Sequence, residues 1–136
     1  MTRRDKRIPS IARATRGVTF DTGMLIALER RHAGALALLR ACRLSRAAIT
    51  IPATVVAEWW RGTHRFLLES GAVEPLTPDL AQRAGELLVL TGGSNAIDAT
   101  VIASAARRGD IVVTGDGDDL RALARTVGNV TVEDLK

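Results

Sequence analysis

Hydrophobic and polar positions alternate along the chain with two different periods. Short runs rich in β-branched residues predict strands at 17–20, 47–51, 73–76, 110–114 and 130–132. Longer runs with helical periodicity predict helices at 24–31, 34–43, 53–70, 79–90, 96–108 and 118–125. Strands that alternate with helices in this way indicate an α/β fold built on a mainly parallel sheet of about five strands. No repeat or linker interrupts the pattern, so residues 17–136 are predicted to form a single domain.

The predicted helix at 96–108 carries a carboxylate on an apolar face. Asp98 is the only charged residue between Glu86 and Arg107, and its neighbours three, four and seven positions further on are all apolar. The helix dipole favours an acid in the first turn by ~0.3–1 kcal/mol, but it does not explain why that acid shares the apolar face. A buried carboxylate needs a charged partner, a proton or a metal. Asp98 is therefore a candidate functional residue.

Two more acids follow predicted strands. Asp21 comes directly after the first strand, and Asp116 comes just after the fourth. In open parallel sheets, binding sites form beyond the carboxyl ends of the strands, where the strand order reverses. A turn and a helix N-cap would explain one or two of the acids Asp116, Asp118 and Asp119, but they do not require all three. Their combined negative charge repels itself unless a cation is present.

Glu58 lies in the predicted helix at 53–70, on a face shared with Arg61 and Arg65. A surface Glu–Arg pair explains this residue as well as a functional role does. The expected core positions of the same helix are Val55, Val56, Trp59 and Phe66. Together, the candidate acids offer oxygen ligands without His or Cys, which suits Mg²⁺ or Mn²⁺. Such a site can activate water for attack on a phosphodiester.

The net charge of +4 is concentrated at the N-terminus. Residues 1–16 hold six basic residues and one acid, a balance of +5 that leaves −1 for residues 17–136. One interpretation of this basic N-terminal extension is an arm that contacts phosphates. The other is a flexible extension, or a segment included because the start codon was placed too early. Arg46, Arg61 and Arg65 are candidate phosphate contacts, although arginine on exposed helix faces is usually only solvated.

Composition excludes several classes of protein. Aromatic residues make up 3% of the chain, which argues against single-strand binders that stack bases on aromatic rings. A single cysteine, Cys42, excludes an internal disulfide framework and a multi-cysteine zinc site, and it predicts a reducing cytoplasmic setting. No apolar run is long enough to predict a membrane span.

Four segments that contain the candidate acids occur in order along the chain: FDTGMLIAL at 20–28, IPATVVAE at 51–58, IDATVIA at 97–103 and VTGDGDDL at 113–120. Each segment alone is a weak motif, but the ordered set is fairly specific. With these segments the chain resembles the PIN domain over about 17–134, and within it the VapC-type toxin ribonucleases of bacterial toxin–antitoxin pairs.

The resemblance implies a three-layer α/β/α fold and a nuclease site. The implied catalytic acids, which would hold one or two Mg²⁺ or Mn²⁺ ions for RNA cleavage, are Asp21, Glu58, Asp98 and Asp116. Asp118 falls where many relatives carry a fifth acid, and Thr114 falls where a hydroxyl often supports the site. The family also implies a homodimer and a cognate antitoxin protein. Relatives commonly carry Ser or Asn where this chain has Gly23, so a polar group beside the metal is missing.

Three functions are consistent with these observations. The first is a metal-dependent endoribonuclease that acts as a toxin. The second is a catalytically weak or inactive PIN-like module that binds RNA or a protein, although clustered acids that face phosphates would not help such a binder. The third is a DNA-directed nuclease of the same fold, against which the small size and the missing insertions count.

Overall fold

Five parallel strands form the centre of the protein. A computed structural model describes residues 16–135. The strands are β1 (Val18–Phe20), β2 (Ile49–Pro52), β3 (Ala72–Glu74), β4 (Ile111–Thr114) and β5 (Thr131–Asp134). Their order is β3-β2-β1-β4-β5, and every neighbouring pair is parallel. The predicted parallel α/β sheet is therefore confirmed, with the reversal of strand order between β1 and β4.

Two groups of helices flank this sheet. The helices are α1 (Thr22–Glu29), α2 (Ala33–Ser45), α3 (Ala53–Trp59), a 3₁₀ helix (Arg65–Ser70), α4 (Pro78–Thr91), α5 (Ala96–Arg108) and α6 (Asp118–Val127). Helix α1 packs against α2, α3 and the 3₁₀ helix, whereas α4, α5 and α6 pack against one another. Within residues 16–135 no single helix is long and apolar enough to cross a membrane; α4 and α5 pass that test only as a pair bent by 111°.

The core lies on both faces of the three inner strands. Every residue of β1, β2 and β4 is buried, which explains why these segments are continuous apolar runs rather than alternating ones. Helix α5 is buried from Ala99 to Ala105, as its lack of charged residues predicts. It ends at Gly109, which has a φ of +72°. A residue with a side chain would adopt this conformation only with strain.

The predicted helix at 53–70 is wrong in its second half. Helix α3 ends at Trp59, and the chain then turns before the 3₁₀ helix. Gly62 and His64 adopt left-handed conformations in this turn, with φ of +87° and +62°, which a right-handed helix cannot contain. The break changes the helical phase, so Phe66, expected in the core, is 64% exposed.

An ion-pair network around the buried Asp110 connects the start of β4 to β1 and β3. Asp110 is 1% exposed, and its Oδ2 accepts hydrogen bonds from Arg108 Nε at 2.9 Å and from Thr19 Oγ1 at 2.7 Å. Arg108 also donates to Ser104 Oγ at 2.8 Å and to Glu74 Oε2 at 2.6 Å. The charge of Arg108 is thus balanced by two carboxylates, and the network fixes the amino end of β4.

Arg16, at the boundary of the predicted extension, is bonded to the amino end of the sheet. It donates to the carbonyl oxygens of Gly109 at 2.7 Å, Asp110 at 2.9 Å and Asn129 at 3.2 Å, and to Thr131 Oγ1 at 2.9 Å. The rest of the predicted basic extension, residues 1–15, lies outside the described residues. Its role and the division of the chain at residue 17 stay predictions.

We expect Asp110→Asn to lower the free energy of unfolding by about 3 kcal/mol, because it removes one partner of a buried ion pair. Asp79→Asn is the matched control, since Asp79 pairs with Arg83 on the surface of α4, where the side chains are 68% and 60% exposed. That change should cost less than about 0.5 kcal/mol. Urea unfolding of both variants tests the difference, and equal effects would contradict the role given to the network.

Candidate functional site

Asp21 connects the end of β1 to the start of α1. Its Oδ1 accepts a hydrogen bond from the Met24 N–H at 2.9 Å and so caps the helix. Its Oδ2 accepts one from the Thr114 hydroxyl. The residue is 8% exposed, and burial raises the pKa of Asp21 to about 6; both hydrogen bonds oppose this shift, while the negative charge of Asp98 adds to it. Asp21 is thus a buried acid with two donors and an acidic neighbour.

Thr114, the last residue of β4, links Asp21 to the loop that carries Asp116. Its hydroxyl donates to Asp21 and accepts the Asp116 N–H at 3.1 Å. The role of Thr114 in supporting a functional site stays a prediction. Asp116 is exposed beyond the end of the strand. The two acids expected at strand ends therefore lie just beyond the adjacent strands β1 and β4, at the point where strand order reverses.

Asp98 lies among the other acids. It occupies the first turn of α5, where the Asn95 side chain caps the helix by accepting the Asp98 N–H at 3.0 Å. The carboxylate is half-buried, and burial raises the pKa of Asp98. The negative charges of Asp119, Glu58 and Asp116 raise it further. Asp98, the acid singled out by its apolar helix face, is therefore the carboxylate whose pKa three other acids raise.

Glu58 reaches this group from α3. It is exposed, and its Oε1 accepts a hydrogen bond from the Thr22 hydroxyl at the start of α1. No ion pair between Glu58 and a neighbouring arginine occurs in the described part of the chain. Arg61 instead donates to the Trp60 carbonyl at 2.6 Å. The structure thus favours the acidic group over the surface Glu–Arg pair as the setting of Glu58.

The three candidate phosphate contacts lie on different elements. Arg46 ends α2 just before β2, at the amino edge of the sheet and opposite the acids. Arg61 and Arg65 are exposed, and the turn after α3 separates Arg65 from the helix that carries Glu58. Their part in binding phosphate stays a prediction.

Asp119, rather than its neighbour, faces Asp98. Asp118 has a side chain that is 96% exposed, and it lies 3.7 Å from Arg121 in a surface ion pair. Asp119 raises the pKa of Asp98 more than any other single charge does. Asp119 was not predicted from the sequence as a site residue, although its position four residues before the buried Leu123 places it toward the packed side of α6.

Gly23 allows α1 to start against the turn after β4. A Cβ at this position would lie 2.7 Å from the Gly115 nitrogen and 3.3 Å from Asp21 Oδ1. Since Cβ atoms do not approach other atoms to 2.7 Å, a side chain here would push the two segments apart. The glycine at position 23 therefore has a steric reason in this chain. Its effect on metal affinity stays a prediction.

The acids around Asp98 fit a hydrated hard cation. Their donors are all carboxylate oxygens, and no Lys or Arg within residues 16–135 forms an ion pair with Asp21, Glu58 or Asp98. No three His, Cys, Asp or Glu side chains in that same range converge closely enough to hold an ion by themselves. Mg²⁺ commonly keeps several waters and takes only one or two carboxylates from the protein, so the donor chemistry suits it.

The fold and the acids define a class of protein: a small doubly wound α/β domain with carboxylates grouped at the switch point of its sheet. A family model for the PIN domain matches residues 18–126. The chain therefore belongs to the PIN domain family, and the resemblance seen in the four motifs is confirmed at that level. A comparison with curated proteins gave no significant match.

Several solved structures share this fold. VapBC2 from Rickettsia felis, bound to a DNA fragment from its promoter, aligns at 15% identity with a TM-score of 0.68, covering 88% of this chain and 98% of that one. FitAcB from Neisseria gonorrhoeae aligns at 17% identity with a TM-score of 0.66, covering 86% of this chain and 96% of that one. A toxin–antitoxin complex from Klebsiella pneumoniae aligns at 20% identity with a TM-score of 0.63, covering 85% of this chain and 96% of that one. These similarities support the three-layer fold.

Stability should depend on pH through Asp21. The unfolded chain loses this proton near pH 3.8 and the folded protein near pH 6, so the folded state binds more protons between these values and stability falls as pH rises through them. The full loss is about 3 kcal/mol. In EDTA, the free energy of unfolding of Asp21→Asn should equal that of the parent near pH 4 and should exceed it above pH 6. Urea unfolding across this range measures the difference, and a difference that does not grow with pH would contradict the assignment.

We expect Gly23→Ala to destabilise the protein by about 1–3 kcal/mol, because the added methyl group overpacks the contact with Gly115. Gly85→Ala is the control: Gly85 lies inside α4 with open space around its Cα, so alanine there should stabilise by up to about 1 kcal/mol. Thermal or urea unfolding compares the two. A Gly23→Ala protein as stable as the parent would show that the close approach is not required.

Proposed function

We propose that the protein is a Mg²⁺- or Mn²⁺-dependent endoribonuclease that acts as the toxin of a toxin–antitoxin pair. The observation that carries the proposal is the half-buried Asp98, which faces other carboxylates at the switch point of the sheet. It has no Lys or Arg partner within residues 16–135. Carboxylates grouped in this way favour binding of a cation, which relieves their repulsion. Membership of the PIN domain family supports nuclease chemistry at this position.

The acids would divide the work according to their settings. Asp21, Asp98 and Asp116 would hold the ion, with Glu58 beside them. Bound there, Mg²⁺ would supply an activated water and would neutralise the charge that develops on the phosphodiester. The Thr114 hydrogen bond stabilises the charged form of Asp21, which is the form that binds a cation.

Hydrogen bonds from the rigid elements position these carboxylates. Thr114 orients Asp21 from β4, and Thr22 orients Glu58 from the first turn of α1. Because the donors belong to helices and strands rather than to mobile loops, the carboxylates are held in place before any ligand arrives. This preorganisation supports a catalytic role over a role in binding alone.

Protein partners form part of the proposal. The Klebsiella structure, a toxin–antitoxin complex with the same fold, supports an antitoxin as partner. Exposed apolar side chains offer surfaces for an antitoxin or for a second copy in a homodimer: Phe66 is 64% exposed beside α1 and α2, and Val89 and Leu90 are 83% and 71% exposed on α4. The cytoplasmic setting predicted from the single cysteine belongs to the same proposal.

Replacing Asp98 or Asp21 by Asn should abolish RNA cleavage with Mg²⁺ or Mn²⁺ and should abolish growth inhibition in a bacterial host. Each change removes a negative charge from the ion site. Thr114→Val, which leaves all the acids in place, should lower activity 10- to 100-fold because it removes a hydrogen bond that orients a ligand. Cleavage of structured RNA by purified protein measures both effects.

Asp79→Asn, an acid-to-amide change on the surface of α4, is the control and should cleave like the parent. Mn²⁺ should raise the melting temperature of the parent and of Asp79→Asn but not of Asp98→Asn, which tests ion binding without catalysis. EDTA should stop cleavage. Full activity of Asp98→Asn would refute the site, cleavage of DNA alone would assign a DNA nuclease, and RNA binding without cleavage would indicate a non-catalytic module.

A further inference from the structure

A pocket of about 200 Å³ opens beside Asp98 and is not used by the proposed chemistry. It lies between the end of α4, the loop at 92–95, the start of α5 and helix α6. Asp98 forms one edge of the pocket, so whatever binds inside lies next to the proposed reaction site.

The lining combines apolar and polar groups in a way that suits a flat heterocycle. Leu88 and Leu123 supply apolar surface. Ser94, Asn95 and Asp119 supply hydrogen-bonding groups in the same lining. Apolar walls with a few polar groups that set orientation are typical of small-ligand sites. In a protein that cuts RNA, the ligand of this chemistry is a nucleobase.

The polar groups can make new hydrogen bonds. The Asp119 carboxylate forms no ion pair or hydrogen bond within residues 16–135, and neither does the Ser94 hydroxyl in that range. Asn95 uses its Oδ1 to cap α5, which leaves its side-chain N–H groups as donors. The pocket therefore presents a carboxylate acceptor together with hydroxyl and amide donors.

This set of groups distinguishes the four bases. A carboxylate accepts two hydrogen bonds side by side, and only guanine places two adjacent donors, N1–H and N2–H, on its Watson–Crick edge. Guanine O6 lies next to them and accepts from a hydroxyl or an amide. Adenine, cytosine and uracil each direct a ring nitrogen lone pair or a carbonyl at one of the two carboxylate oxygens. Because no aromatic ring lines the pocket, hydrogen bonding rather than ring stacking would decide the choice.

We propose that this pocket binds a guanine base of the RNA next to the bond that is cut, with Asp119 accepting hydrogen bonds from guanine N1–H and N2–H. Asp119 is then a specificity-determining residue and not a fifth ligand of the ion. The inference rests on the ribonuclease activity proposed above, since it assigns the base that accompanies the cut.

Nucleoside binding tests the pocket without any cleavage. Guanosine and inosine differ only in the N2 amino group, so NMR titrations of the full chain in EDTA compare one hydrogen bond directly. We expect guanosine to shift the backbone amides of 93–95 and 119–123, and inosine to bind about tenfold more weakly. Asp119→Asn should weaken guanosine binding about tenfold. Asp118→Asn, which removes the same charge one residue away, should not change it.

The pocket assignment is overturned if guanosine shifts none of these amides, if guanosine and inosine bind equally, or if Asp118→Asn weakens binding as much as Asp119→Asn. Equal melting temperatures of the parent and the Asp119→Asn variant show that the variant is folded.

A second experiment uses RNA oligonucleotides in which each guanosine near the cleaved bond is replaced in turn by inosine. With Mg²⁺, inosine at one position should lower the cleavage rate of the parent about tenfold. The Asp119→Asn variant should cleave the guanosine and inosine forms of that RNA at the same rate. An RNA cut equally well with inosine at every position contradicts the pocket but leaves the ribonuclease standing. Binding of guanosine without cleavage of any RNA contradicts the proposed function but leaves the pocket standing.

Discussion

The approach of the start of α1 to the turn after β4, backbone against backbone, holds together the two segments that carry Asp21 and Asp116. Gly23 and Gly115 meet there without side chains between them. The pairing of β1 with β4, with Phe20 opposite Val113, brings Thr114 beside Asp21, and its hydroxyl donates to the Asp21 carboxylate next to this contact. A wider separation would break that bond and leave a buried oxygen without a donor, at a cost of ~1–3 kcal/mol. Steric packing and electrostatics at the site therefore depend on the same contact.

The protein buries acids in two different ways. Asp110 is almost fully buried, but Arg108 and Thr19 satisfy one of its oxygens and the ion pair balances its charge. Asp21 is also buried and Asp98 is half-buried, yet their charged neighbours are other acids and their pKa values rise. The first arrangement contributes to stability, whereas the second opposes it until a cation or proton is bound. That contrast distinguishes a structural network from the candidate functional site within one fold.

Sequence reasoning predicted the features that depend on local pattern. The apolar face around Asp98 was visible because helical periodicity is regular, and α5 is buried as that pattern requires. The break after Trp59 was missed because Gly62 and His64 take left-handed conformations that periodicity does not encode. Asp118 and Asp119 could not be told apart, because two adjacent acids at a helix start differ only in their rotation about its axis. The steric reason for Gly23 depends on a distant segment and needed the tertiary structure.

The charge distribution limits how this domain can hold a nucleic acid. Residues 16–135 contain 13 basic and 14 acidic residues, a net charge of −1, and several of the acids meet at the switch point. General attraction to phosphates, the main source of affinity for most nucleic-acid binders, is therefore weak over the region that the family model matches. The proposed affinity for RNA would then come from a bound cation, from specific contacts to bases, or from the basic residues that precede this region. Acidic groups can provide both cation binding and base contacts, because cations and base N–H donors both interact favourably with negative oxygen atoms.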